Sequence, residues 1–176
     1  MIANLRNLFC ALLICFLMMS EALGLKELPS PATQIAGCQG QDHAGLRARI
    51  EGANLVVAGQ VRSVRPGPPS PHISEHNANW QDAVVDVSSV IQGTARPRTV
   101  VVRFPAATDI AWFQSPKLKQ NEKHIFILRR DTVSGKPVAI VDGVSRRVYT
   151  ALDPQDVLSE GDLDCVLTTT ARPALP

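Results

Sequence analysis

The chain has 176 residues, 18 basic and 16 acidic side chains, and a formal net charge of +2; 45% of its residues are hydrophobic. This is enough apolar material for one real core. A charge so close to balance argues against a nucleic-acid partner, which calls for a clustered basic face.

Residues 1–24 read as a cleavable secretory signal peptide. Arg6 supplies the positive start, residues 9–19 form an unbroken apolar run, and Ala22 and Gly24 offer small residues for cleavage before Leu25. The apolar run is too short to span a bilayer as a helix, which needs about 20 residues. The alternative is an uncleaved membrane anchor. Removal of residues 1–24 takes away Arg6 and Glu21 and leaves the net charge at +2. The expected location is periplasmic or secreted. No Asn-x-Ser/Thr acceptor occurs, which favours the periplasm.

Cys10 and Cys15 leave with the signal, so Cys38 and Cys165 remain near the two ends of the exported chain. In an oxidising compartment this pattern suggests a Cys38–Cys165 disulfide. Chain entropy puts such a long loop at about 4–5 kcal/mol. Two unpaired buried thiols are the other reading. The spacing excludes CxxC redox chemistry, and without nearby histidines it also speaks against structural zinc.

Residues 25–37, with Pro29 and Pro31, read as an irregular lead-in, and 38–165 as the folded domain. Residues 42–50 suggest a short helix with Leu46 and Ile50 on one face and Asp42 as its N-cap. From Asn54 the pattern turns to β: Leu55, Val57, Gly59 and Val61 alternate with Val56, Ala58, Gln60 and Arg62. Pro66, Pro68, Pro69 and Pro71 end that strand and open a loop that continues to about Asn79.

The second strand covers 82–91, with Ala83, Val85 and Val87 inward. The third covers 98–104, with Val100, Val102 and Phe104 on one side and Pro105 ending it. Residues 106–122 form a long connection containing Trp112 and Phe113. Residues 125–128 are a fourth strand, apolar on both faces and therefore central or well covered. Ser134-Gly135 reads as a hairpin turn. The fifth strand is expected over 138–149 with a bend at Gly143. Asp153 before Pro154 is a good helix start, and 166–176 reads as a flexible tail. Five strands with a long connection between the third and fourth predict an all-β fold with minor α content: a five-stranded Greek-key OB-like barrel, with one short helix at each end. A β-sandwich favours about seven strands in a regular rhythm.

Several of these segments carry a resemblance. Residues 53–61 (Ala-Asn-Leu-Val-Val-Ala-Gly-Gln-Val), the strand end Val90-Ile91-Gln92-Gly93, residues 123–130 and Leu152-Asp153-Pro154 resemble the netrin-like modules, a group that includes the tissue inhibitors of metalloproteinases. The resemblance covers about residues 38–165 and implies an OB-type barrel. In those inhibitors the mature N-terminal residue is a cysteine that chelates the protease zinc. Here the expected mature N-terminus is Leu25 and Cys38 lies further on, so the shape carries over and the inhibitory chemistry does not. His76-Asn77-Ala78-Asn79-Trp80 and Trp112-Phe113-Gln114-Ser115-Pro116-Lys117 also resemble segments of small exported bacterial proteins.

The chemistry-bearing candidates are few. His72 and His76 have the spacing of two ligands on one helical face, with Glu75 between them, but the prolines before them oppose a helix and no third ligand is evident. There is no GxSxG nucleophile motif. A hydrolase needs a nucleophile with a base; His76 with Asp109 or Asp82 offers a His–carboxylate pair that a serine could join. Trp80, Trp112 and Phe113 are three of only six aromatic residues after residue 24, and they fall in or beside loops, where tryptophans anchor partners; the competing reading is that they cover one end of a barrel. Lys117 belongs to a basic stretch with Lys119, Lys123, Arg129 and Arg130, compatible with peripheral contact with anionic lipid headgroups. The expectation is an exported non-catalytic binding domain for an envelope or extracellular protein, without a cofactor and without nucleic acid. A hydrolase or metal-dependent enzyme built on His76 is the alternative.

Overall fold

The computed structural model describes residues 43–69 and 76–171. They form a mostly β structure with two short helices. In chain order these are α1 (His43–Glu51), β1 (Leu55–Pro66), β2 (Trp80–Gln92), β3 (Thr99–Pro105), β4 (Lys123–Arg130), β5 (Val138–Val141), β6 (Val144–Thr150), β7 (Val157–Ser159) and α2 (Leu163–Ala171). The strand order is β5-β6-β3-β2-β1-β4-β7, with an additional β4–β6 pairing. The pairings β1–β2–β3–β6–β4–β1 therefore return on themselves. The β3–β6 contact is parallel, and the β4–β6 contact is limited to Arg129 with Thr150 and Arg130 with Tyr149.

The alternating residues of the long strands explain this arrangement. Leu55, Val57 and Val61, Ala83 and Val85, Val100, Val102 and Phe104, and Phe126 and Leu128 face one side and form a single buried cluster. The opposite faces are also apolar where something covers them. Val56, Ala58, Ile125 and Ile127 pack under Leu46 and Ile50 of α1 and Cys165 and Val166 of α2. Val84 and Val101 pack under Val141 and Val148 of the β5–β6 hairpin. The doubly apolar fourth strand is thus covered on both faces. Gly59 is needed where β1 shifts register against β2: a Cβ there would lie 2.5 Å from the Asp86 carbonyl oxygen.

Five details differ from the sequence reading. The described residues form seven strands rather than five. The expected bent strand over 138–149 is a two-strand hairpin, because Asp142 and Gly143 both take positive φ, 52° and 73°, the pair that a tight two-residue turn requires. Ser134-Gly135 does not turn a hairpin; it lies in a loop between β4 and β5, which are not paired, and the Ser134 side chain is buried. The Asp153 cap forms, accepting from the Gln155 amide at 2.9 Å, but it starts a single 3-10 turn. Val157 and Leu158 then pair with Phe126 and Ile125 as β7, since β-branched and apolar residues beside an open strand gain more from pairing. Finally, the expected tail is helical through Ala171, because Val166 completes the cover over β4. The signal, the lead-in, Asp42, Cys38 and His72 lie outside the described residues.

Candidate functional site

The end of the sheet where β2 begins and β3 ends gathers most of the residues singled out by the sequence. Asn79, with φ 48°, turns the chain into Trp80. Across from it, the Ala106 amide donates to the Asn79 carbonyl and the Ala107 amide to Ala78, both at 3.1 Å. Asp109 then builds a single turn. Its carboxylate accepts from the Ala111 amide at 2.8 Å, and its carbonyl accepts from the Trp112 and Phe113 amides at 3.0 and 2.9 Å.

This turn places Trp112 edge-on to Trp80, with ring centroids 5.6 Å apart. The Trp112 indole N–H donates to the His76 carbonyl at 2.9 Å and ties the 76–79 segment to the 109–115 turn. Lys117 closes the loop from below: its ammonium donates to the Pro105 and Trp112 carbonyls at 2.7 and 2.8 Å. Burial lowers the Lys117 pKa, with nearby Asp109 opposing the shift. Leu118 anchors the far end in the inner core.

Trp80, at 6% exposure, is a support rather than a contact surface, so the expectation that it meets a partner directly does not suit its burial. Trp112 is half-buried on top of it. In this loop Phe113 and the neighbouring Ile110 are large apolar groups that face solvent, at 58% and 80% exposure. Sequence reasoning missed Ile110. Its signal was available: an isolated isoleucine between Asp109 and Trp112 in a connection, where nothing requires a β-branched residue.

His76 and Asp109 do come together, Nδ1 to Oδ1 at 3.6 Å, with the His76 side chain half-exposed. Clefts of about 350 and 280 Å³ open among the described residues, and neither of these is lined by this pair. Among the described residues, no group of three or more His, Cys, Asp or Glu side chains is placed to hold a metal ion. Cys165 is fully buried in α2.

A second cluster was not anticipated. Arg103, on the covered outer face of β3, is buried and holds Asp82 across the β2–β3 pairing with two bonds of 2.7 and 3.0 Å. Its Nη1 donates to Asp131 at 2.9 Å and to the Ser134 hydroxyl and Lys136 carbonyl at 2.6 Å. Burial pushes the Asp131 carboxyl up, but hydrogen bonds from the Ser134 hydroxyl, the Ser134 and Val133 amides, and the charge of Arg103 outweigh it and hold it below its ordinary value. This cluster binds the 131–137 loop to the sheet.

No protein-family model matches this chain, and no curated protein matches it.

Proposed function

We propose that this chain is an exported, non-catalytic binding domain that meets an envelope or extracellular protein through the loop carrying Ile110 and Phe113. The observation that carries the reading is the combination of two exposed apolar side chains with a loop pinned by Trp80, Trp112, Lys117 and Asp109. An apolar anchor on a fixed loop binds without first losing much conformational freedom, which is where interface energy concentrates. The returning circuit of strand pairings, with β3 and β6 parallel, supports an OB-like, netrin-like barrel as the scaffold. The amino-terminal pattern of residues 1–24 supports export to the periplasm or beyond.

The test is affinity capture from the native envelope or secretome with wild type and an Ile110→Ser/Phe113→Ser double variant. The reading expects a protein retained by wild type and lost by a variant with an unchanged melting temperature. The same proteins on both baits would refute it.

The His76–Asp109 contact favours a second reading, a small hydrolase in which Asp109 orients His76 as a base. Chromogenic ester hydrolysis by wild type that disappears in His76→Ala would establish it; equal rates in both would dismiss it.

A further inference from the structure

Among the described residues the β5 strand ends the sheet, and one side of it has no neighbouring strand. The ladder of its hairpin says which backbone groups face that open side. The Val148 amide donates to the Pro137 carbonyl at 2.8 Å, and the Asp131 amide takes the place of the N–H that proline lacks, donating to the Val148 carbonyl at 3.1 Å. Antiparallel pairs alternate between bonded and non-bonded. Pro137 with Val148, Ala139 with Arg146 and Val141 with Val144 are therefore the bonded pairs, and Val138 and Ile140 turn their N–H and C=O groups outward. Arg65 occupies one of these, donating Nη1 to the Ile140 carbonyl at 2.6 Å. The Val138 N–H, the Val138 C=O and the Ile140 N–H have no partner among the described residues.

The cleft of about 350 Å³ runs beside this edge. Arg65, Pro66, Gly67 and Pro68 line it, and Val138 and Ala139 belong to β5. The Val138 and Ile140 side chains, 53% and 60% exposed, form an apolar row. The nearby charges that no ion pair engages are all basic. Arg65 and Lys136 line the cleft, and Arg147 pairs with Val138 across the hairpin. None of the three forms an ion pair among the described residues. The acids nearby are already taken: Asp82 by Arg103 and Asp142 by Arg62, at 2.7 Å each.

We propose that β5 is a docking edge that takes an extended acidic peptide segment of a partner protein as an added strand. Backbone bonds to Val138 and Ile140 supply the affinity, as in other strand-addition complexes. Alternate apolar side chains of the peptide cover Val138 and Ile140, and its carboxylates, on the other face of the added strand, meet Arg65 and Lys136 in the cleft. A second copy of this chain fits poorly, since a symmetric pairing of two β5 edges sets these cations against their own counterparts. The site is separate from the Ile110–Phe113 loop and stands without it.

The experiment uses the full chain and a short fluorescein-labelled peptide of alternating valine and glutamate, read by anisotropy at neutral pH. The lysine analogue of the peptide is the charge control. The glutamate peptide is expected to saturate, and the lysine analogue to bind at least roughly tenfold more weakly. Ile140→Pro removes an outward N–H that the hairpin does not use, and should weaken binding by roughly tenfold. Two further peptides, N-methylated at the odd or the even amides, keep the test independent of that variant's folding: one set should lose binding and the other keep it. Phe113→Ser should leave the titration unchanged. The proposal is overturned by no binding, by equal binding of the lysine analogue, or by full binding of both methylated sets. Light scattering that shows a dimer abolished by Ile140→Pro would overturn it too.

Discussion

Replacing Arg103 with methionine tests whether the buried charge cluster holds the sheet together as a desolvated unit. The side chain of Arg103 is 2% exposed, those of its partners Asp82 and Asp131 4% and 0%. Arg103→Met keeps much of the volume and removes the cation, leaving two buried carboxylates without it. Removing one partner of a buried pair costs about 3–5 kcal/mol. For a domain of this size that corresponds to a fall in melting temperature of roughly 10–20 °C. The assay is urea and thermal unfolding at pH 7, followed by near-ultraviolet circular dichroism on the two tryptophans.

The pH dependence sharpens the test. In the wild type the Asp131 carboxyl sits below its ordinary value, so its contribution is present above the unfolded pKa and is lost as pH falls through the lower folded one. Wild-type stability should therefore decline from about pH 4 downward. In Arg103→Met the same carboxyl keeps the Ser134 and Val133 hydrogen bonds but has lost the charge of its cation, so its pKa moves up from the wild-type position. The stability gap between the two proteins should narrow as pH falls from 7 toward 4. A variant within about 2 °C of wild type at pH 7, or a gap that widens on acidification, would refute the account.

Asp156 accepts from Arg49 at 3.2 Å and from Arg129 at 3.1 Å and ties α1 to the chain before β7; Asp156→Ala should cost about 2–3 kcal/mol by urea titration, because it leaves Arg49 with Asp153 alone. Gly59→Val should prevent folding or cost more than about 3 kcal/mol, since backbone rather than a movable side chain blocks its Cβ. Gly143→Ala has open space around it and only the positive φ to oppose it, so its cost should be about 1 kcal/mol by the same titration. If Cys38 and Cys165 are paired, the chain prepared without residues 1–24 should resist thiol labelling until reduced, and reduction should lower the melting temperature; labelling without reductant would refute the pairing.

Much of the inner face was legible because it depends on period-two alternation alone. The residues of β1, β2 and β3 expected inward are the ones found there. The hairpin was not, although its turn residues are plain in the sequence. Asp142-Gly143 is a strong two-residue turn signal, but Val138 to Val141 is so short that a single bent strand fits the same apolar pattern. Alternation also says nothing about what lies on the far side of a strand. The apolar outer faces of β1 and β4 could be matched to α1 and α2 only once the fold brought them together. Arg103 shows the opposite case: a lone charge inside Thr-Val-Val-Val-Arg-Phe looks like solvent exposure, and its four partners come from β2 and from the loop after β4.

The same distinction separates the two surfaces argued for binding. Trp80 and Trp112 drew notice because tryptophan is rare and large, yet size is also what suits a residue to filling a gap. Here the larger rings pack edge to face and the loop's own carbonyls are bound by Lys117, so the structural work falls to the rarer residues and the exposed contact to Ile110 and Phe113. At β5 the exposed groups are backbone, which no side-chain pattern reveals. What sequence offers there is the company the strand keeps: arginines at 65 and 147 and a lysine at 136, with the nearby acids at 82 and 142 already engaged. If the acidic peptide binds and Phe113→Ser does not disturb it, the domain has two independent faces, and a partner that contacts both would gain affinity by linkage rather than by better contacts at one.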